Sequence, residues 1–455
     1  MKRLHPLEQV VAKRQCMGCS LCTLIQPSSQ NEAAPLVTMR FDEKQDLFVP
    51  RVENWKEGDP EGEYACPGEK MDMVSLAEQR FGRLPTDPIL GEVVALRAAY
   101  SSDEVERQRS ASGGVVPAIL DHLLSTRAID AAYSLRSDTT PDATQGTVVR
   151  QSSDLISLHG SVYHPARLGT SLDALLKSDA RFAFVGLPCE IAGLEMLKSK
   201  HQVLRERHIV SIGLFCGGIN TFKGIDYYLE KFGFQLKDVE KIDYRYGSWP
   251  GRIRAKLKDG SEREVARITG NSRWNILRYV IAFQGYWMLP RCRICPDQIS
   301  DFADIAVGDP HLPRFRAKGG KGFSAVITRT KRGEELVAQA VAAGRMCEEL
   351  ISRDEVIHSQ GYTLDNRRHA KVYAKVGKFF GFQPPEMTTY PDLEATEASR
   401  HYRYAIVDMA KLRLPKNRFV RAFYLPWQVF EYLFITFAPS LIGKRLAKLL
   451  RNDTG

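Results

Sequence analysis

The stretch CMGCSLCTLIQP, residues 16–27, decides how the chain begins and constrains the fold of the rest. Cys16, Cys19 and Cys22 fall at successive three-residue intervals, and Pro27 stands where a bacterial iron–sulfur ligand run ends in Cys-Pro, yet Gln26 takes the place of the fourth cysteine. The next cysteine is Cys66, in YACPGEK, and it is again followed by proline. In two-cluster proteins the last cysteine of such a run serves the other cluster, so its loss at Gln26 leaves one 4Fe-4S site expected from Cys16, Cys19, Cys22 and Cys66. Four thiolates also suit structural zinc, although zinc knuckles usually pair two Cys-x2-Cys units.

Four of the remaining five cysteines make a second set: Cys189 in FVGLPCEIAGL, Cys216 in IGLFCGG, and Cys292 and Cys295 in CRICPD. Each stands where a strand ends or a loop turns. Gly186, Gly217 and Gly218 beside them leave room for a bulky inorganic core, and a helix starting near Cys189 favours a thiolate there. Singly, Cys216 also fits an apolar strand and Cys189 a nucleophile without an obvious base. Cys347, in AAGRMCEEL, is left over and reads as a core thiol on a helix.

A chain of 455 residues with an apolar fraction of 44% is expected to form two or three packed units. The opening MKRLHPLEQVVAKRQ lacks the apolar run of an export signal, which points to a cytoplasmic chain whose cysteines bind metal rather than pair. Residues 401–455 carry ten Lys/Arg against three acids, which is seven of the ten net positive charges, so the basicity describes the tail and gives no reason to expect nucleic-acid binding. Residues 1–90 are turn-rich and close on RLPTDPILG. Short apolar runs then alternate with helical patterns: VVALRAAY, RFAFVGLPC, IVSIGLFCGG, ADIAVGD and FSAVITRT as strands, GGVVPAILDHLLS, EIAGLEMLKSK, FKGIDYYLEKFG and KRGEELVAQAVAAG as helices, and IRAKLKDGSEREVARI as a hairpin. The expected fold class is α+β: a small ferredoxin-like iron–sulfur domain over 1–90, α/β units over 91–190 and 191–385, and a C-terminal extension over 386–455.

SASGGVVPAIL, FVGLPCEIAGL, IGLFCGG, YRYGSWPGR and CRICPDQISDFADIAVGD, in that order behind the Cys-x2-Cys-x2-Cys run, resemble the coenzyme F420 hydrogenase/dehydrogenase beta-subunit family over about residues 10–375. The resemblance implies an iron–sulfur flavoprotein with one or two 4Fe-4S clusters and FAD, fed by ferredoxin or another redox subunit and acting on a small organic acceptor. The family includes the subunit that reduces coenzyme F420 and relatives such as 7-hydroxymethyl chlorophyll a reductase. Two departures are visible: Gln26 in the first run, and Val162 in HGSVYHPARLG, where the family carries a basic residue. A subunit that only relays electrons to a partner enzyme is the competing function, and a zinc-stapled binding protein the third.

Single-electron clusters serving a two-electron reduction imply a flavin. Ser110, Ser112, Gly113 and Gly114 ahead of a helix form a phosphate cradle in that family context; on local chemistry alone they read first as a helix cap. KGGKGFSAV places Lys321 as a second phosphate contact or a solvated turn. YRYGSWPGR offers Arg245, Gly247 and Arg252 among aromatics suited to covering a planar ring, or to packing a strand end. His159, His164 and Tyr163 are candidates for proton delivery, and Asp309 for a ribose contact or a turn cap. No catalytic residue is assigned. Eight of the nineteen residues from Phe419 to Phe437 are aromatic, interrupted by Glu431 and Pro426 and flanked by basic residues. That pattern is too broken for a membrane span and predicts peripheral membrane or partner contact over 419–450, or a helix packed on the body.

Overall fold

The computed structural model describes residues 4–24, 36–53, 55, 65–247, 249–265, 273–316, 320–391, 399–414 and 418–431. Strands β1 (Val37–Asp42) and β2 (Leu47–Val52) form a hairpin, and β3 (Lys70–Asp72) leads into a helix over Met73–Phe81. An eight-stranded sheet then takes β4 (Ala95–Ser101), β5 (Ala131–Leu135), β6 (Gly146–Val149), β7 (Phe182–Gly186) and β8 (His208–Leu214). The chain leaves that sheet for a three-stranded one made of β9 (Val239–Tyr246), β10 (Arg252–Leu257) and β11 (Glu262–Val265). It returns with β12 (Ile305–Gly308), β13 (Ser324–Thr328) and β14 (Met346–Leu350). Last comes β15 (Glu386–Thr388), paired in parallel with β3, which ties the C-terminal part to the N-terminal part.

The sheet order is β14-β4-β13-β12-β8-β7-β5-β6. Its pairings make β4, β12, β8, β7 and β5 run one way and β14, β13 and β6 the other. This is a large mixed sheet in a mixed α/β fold. Central strands covered on both faces read as continuous apolar runs, and β7 and β13 are buried at every position. One face packs on the helices Val115–Ser125 and Lys331–Ala342, with Ile119 and Val337 against Ala183 and Val326. The other packs on the helix Pro188–Lys198 and on the N-terminal segment, with Ile191 and Leu194 beside Leu21 and Met73.

The helix Phe222–Leu229 covers the three-stranded sheet through Ile225, against Tyr244 and Ile253. The helices Ala370–Phe379 and Ser399–Arg413 bury Tyr373 and Met409 against Val49 of β2 and Ile294. Strands of 91–190 and of 191–385 therefore share one sheet.

One sequence expectation is corrected. Cys347 lies on no helix and in no core: it is an exposed residue of β14, whose alternation turns Met346 inward and Cys347 outward. The helical pattern stops at Ala342, and an edge strand begins where a longer helix was expected.

Candidate functional site

The parallel strands deliver their carboxyl ends to one edge of the sheet, the usual ligand edge of such sheets. Gly-Leu-Pro after β7 stops the strand and starts a helix with Pro188 at its first position and Cys189 at its second. The chain past β8 reaches Cys216, whose N–H donates to the Gln298 carbonyl at 3.0 Å. Leu289-Pro290 opens a one-turn helix carrying Cys292, and Cys295 comes three residues later. These four line one pocket with Gly218, Ile219, Arg291, Asp297 and Met17.

Cys16, Cys19, Cys22 and Cys66 line a second pocket, walled by Leu7, Val10, Met39, Pro50 and again Met17. So each pocket gathers one of the two cysteine sets drawn from the sequence, and Met17 forms a wall of both.

Burial pushes the thiols of both quartets above their ordinary range, Cys16 to about 12 and Cys292 to about 11. The neighbouring sulfurs add to this: Cys66 raises Cys19, and Cys216 raises Cys189. Four buried thiolates therefore need cations to exist as such. Backbone donors are already aimed at the sulfurs. The N–H of Gly18 donates to Cys16 Sγ, that of Gly218 to Cys216 Sγ and that of Ile219 to Cys292 Sγ, each at 3.4 Å. Among the described residues only Asp365, His369 and His401 bring three metal-binding atoms within 4.8 Å of one another, so neither quartet is drawn in that tightly. Sulfurs about 2.3 Å from a single zinc ion would sit roughly 3.8 Å apart.

Several residues that sequence reasoning missed shape these pockets. Arg291 is buried, donates from Nη2 to the Pro67 carbonyl at 3.0 Å beside Cys66, and lines the pocket of the second quartet, so it spans both. Glu190 is buried next to Cys189, accepts from the Leu187 N–H at 2.6 Å, and is pushed up to about 7 by burial. Asp297 accepts from the N–H groups of Ile299 and Asp301, at 3.1 and 3.2 Å from the same oxygen. Burial and then the Asp301 charge push it up to about 7. Asp301 pairs with Arg367 Nη1 at 2.8 Å and lies 3.6 Å from Arg329, all three fully enclosed. The only sequence signal for Arg291, Asp297 and Asp301 was the run of charges embedded in PRCRICPDQISD.

The same sheet edge gathers most of the flavin candidates. The Ser112 hydroxyl lies between the Phe323 carbonyl, to which it donates, and the Asp309 carboxylate. Asp309 pairs with Arg245 Nη2 at 2.8 Å. Burial pulls the Asp309 carboxyl up, but the Arg245 charge, the nearby His311 and hydrogen bonds from Ser112 and Arg245 together keep it below the ordinary carboxylate range. Arg245 also donates from Nε to the Pro250 carbonyl at 2.9 Å.

Gly113 donates to Ser324 Oγ at 3.0 Å and accepts from the Ser101 N–H at 2.7 Å, and a Cβ on it would lie 2.5 Å from the Ala99 carbonyl oxygen. Gly114, at φ 75°, begins the helix Val115–Ser125, whose first N–H groups have no acceptor within the helix. Ser110 Oγ donates to Glu106 at 3.0 Å, and Lys321 reaches Glu104 at 2.8 Å on the exposed rim. Gly247, at φ 78°, has no atom within 4 Å of where its Cβ would stand, and Arg252 points to the surface beside Glu264.

His164 is not placed to move protons. It is buried between Thr144 Oγ1 and Tyr244 Oη, each at 2.8 Å, and burial drives its pKa down to about 3. His159 Nε2 lies 2.7 Å from Glu106, and Tyr163 shares a hydrogen bond with Arg245.

These elements define a mixed α/β protein with two thiol quartets in pockets that share Met17, the second at the carboxyl edge of the sheet. The chain belongs to the coenzyme F420 hydrogenase/dehydrogenase beta-subunit family: the family's N-terminal model matches residues 96–173 and its C-terminal model residues 179–354. It is 26% identical over 348 residues to the coenzyme F420-dependent sulfite reductase of Methanocaldococcus jannaschii, covering 72% of this chain and 46% of that protein, so it spans under half of that relative's length. It is 22% identical over 265 residues to the coenzyme F420 hydrogenase subunit beta of Methanosarcina barkeri, covering 57% of this chain and 82% of that one. A chain of the F420-reducing [NiFe] hydrogenase complex of Methanosarcina barkeri shares the fold at a TM-score of 0.51 and 20% identity, over 66% of this chain and 98% of that one. These relatives place the chain among redox proteins.

Proposed function

We propose that the chain is an iron–sulfur flavoprotein oxidoreductase that carries electrons between a one-electron donor, ferredoxin or another redox subunit, and an organic acceptor, coenzyme F420 or a compound like it. The observation that supports this best is that two cysteine quartets line pockets sharing Met17, on a fold that also carries the Ser110–Gly114 loop and the Asp309–Arg245 pair. Cys16, Cys19, Cys22 and Cys66 would hold one 4Fe-4S cluster and Cys189, Cys216, Cys292 and Cys295 the other. When bound, such clusters exchange single electrons and FAD turns pairs of them into hydride transfer.

The chain's own residues do the rest. Gly113 and Gly114 let a phosphate approach the backbone, and the helix they start supplies N–H groups and positive dipole. Arg245 is a buried cation neutralised by Asp309, able to orient an anionic group without moving. Lys321 and Glu104 form an exposed pair at the rim, where a donor or acceptor enters.

Anaerobic purification with iron, sulfide and flavin assays tests the reading. About eight irons and one FAD per chain, with deazaflavin reduction by a reduced ferredoxin, are expected. A colourless chain with zinc in place of iron would end it, and a flavin-free chain with full iron would reduce it to an electron relay.

The tail belongs to the same proposal. The helix Arg418–Phe430 seats Tyr424 against Tyr286, ring centroids 4.3 Å apart, while Phe419, Phe423, Trp427 and Phe430 stay exposed on the same helix as Arg421. No helix among the described residues is long and apolar enough to cross a membrane. An aromatic stripe with basic flanks suits a surface of anionic lipid, and we assign it to peripheral attachment there. Residues 432–455 lie outside the described residues.

A further inference from the structure

The helix Gly361–Arg368 passes through His369 into the helix Ala370–Phe379 and crosses the helix Ser399–Arg413. At the crossing, Asp365, His369 and His401 each bring a ligand-type atom within 4.8 Å of the other two. The spacing Asp365 to His369 is one helical turn, which puts both on one face, and His401 closes the set from the opposing helix.

Both imidazoles are buried, with 3% and 6% of their surface exposed, and their ring centroids are 3.5 Å apart. His369 Nδ1 lies 2.7 Å from the Asp365 carbonyl oxygen, an acceptor that fixes the tautomer with the proton on Nδ1. That leaves Nε2 as a bare lone pair, and it is buried with no hydrogen-bond partner. A buried acceptor without a donor is costly unless something electrophilic meets it. A histidine whose other nitrogen donates to a backbone carbonyl is the arrangement that presents a nitrogen to a metal. The Asp365 carboxylate, more than half exposed, provides the entry path.

We propose that Asp365, His369 and His401 bind a divalent transition-metal ion of the zinc class, with water completing the coordination. Nitrogen and carboxylate donors select such an ion over the soft, thiolate-loving metals of the cysteine pockets. The site lies beyond residue 354, outside the stretch matched to the family.

Its role is structural. The neighbouring bond from Tyr373 Oη to Asp408 at 3.0 Å joins the same two helices. Arg293, between Cys292 and Cys295, reaches both Tyr362 at 2.6 Å and Asp408 at 3.5 Å. An ion at the crossing therefore staples the C-terminal helix over the segment that carries half of the second quartet.

The test uses the full chain, purified anaerobically with its iron and treated with a mild chelator, then titrated with Zn2+ and separately with Co2+. One zinc per chain beyond the iron is expected, and a cobalt spectrum with ligand-field bands but no thiolate charge transfer. Asp365→Asn, a change at an exposed carboxylate, and His401→Gln are each expected to weaken zinc binding more than about tenfold. Their iron content and melting temperature in chelator should match the parent. Absence of zinc uptake, a cobalt adduct showing sulfur charge transfer, or variants that bind as the parent does would each overturn the proposal.

Discussion

The enclosed charge group behind the second quartet offers a demanding test. Asp301 is bidentate on Arg367 and 3.6 Å from Arg329, and all three side chains have no exposed surface. Asp301→Asn keeps the shape and removes the charge, leaving two guanidiniums facing Asp297 alone. Stranding one member of a buried ion pair costs about 3–5 kcal/mol. Part of that is recovered, because Asp297, held up to about 7 by burial and by Asp301, becomes free to ionise once that neighbour is neutral. The expected loss is therefore at the lower end, about 3 kcal/mol.

The loss has a local consequence as well. Asp297 sits two residues past Cys295, whose Sγ donates to the Asp297 carbonyl at 2.9 Å. Loosening it should empty the second quartet first. Anaerobic urea denaturation followed by fluorescence measures the stability, and iron per chain measures the pocket, expected to fall from about eight to about four. An unchanged midpoint with full iron would show that this network does not position the ligand segment.

Three further outcomes are expected of particular groups. His164 is neutral in the fold, with its pKa lowered to about 3 by burial, so the unfolded chain binds the extra proton and stability falls as pH drops from about 6.5 towards 3. His164→Asn should lessen that acid sensitivity by about 1 kcal/mol between pH 6.5 and 5.5, measured as the difference in unfolding free energy between the two. Gly113→Ala places a Cβ 2.5 Å from the Ala99 carbonyl and 2.8 Å from the Ser324 nitrogen, both backbone; about 1–3 kcal/mol of stability and the bound flavin should be lost together, read by thermal melting and absorbance. In sedimentation with phosphatidylglycerol vesicles, the parent should bind and the double variant Phe423→Ser, Trp427→Ser should not, with neutral phosphatidylcholine binding neither; equal binding by parent and variant would remove the tail from the interface.

The strands and helices of the body were legible because their periodicity is strong: FAFVG is apolar throughout, and the strand it predicts is buried throughout. The membership of each quartet was readable from spacing and from the count of cysteines. Cys347 went astray because the helical pattern of Lys331–Ala342 runs up to a short edge strand with no proline to mark the break. The charges around Asp297 and Asp301 were invisible as a network, since a run of polar residues in a sequence reads as solvated surface. Their partners Arg329 and Arg367 lie 28 and 66 positions from Asp301. His369 and His401 were silent for the same reason: each is an isolated histidine until two helices cross.

The placement of the ligands also sets a timetable. The first quartet closes at residue 66, but the second needs Cys295, which lies 279 positions after Cys16. At about 5–20 residues per second, the ribosome exposes the early thiols for roughly 15–60 s before the last one is made. Met17 lines both pockets, and Arg291 of the second donates to the Pro67 carbonyl beside Cys66, a contact that forms only once the later segment has been made. If the quartets hold the clusters proposed above, inorganic sulfide and iron would have to reach a chain that is nearly complete, and an ion that filled the early quartet sooner would be enclosed when the later half folds over it.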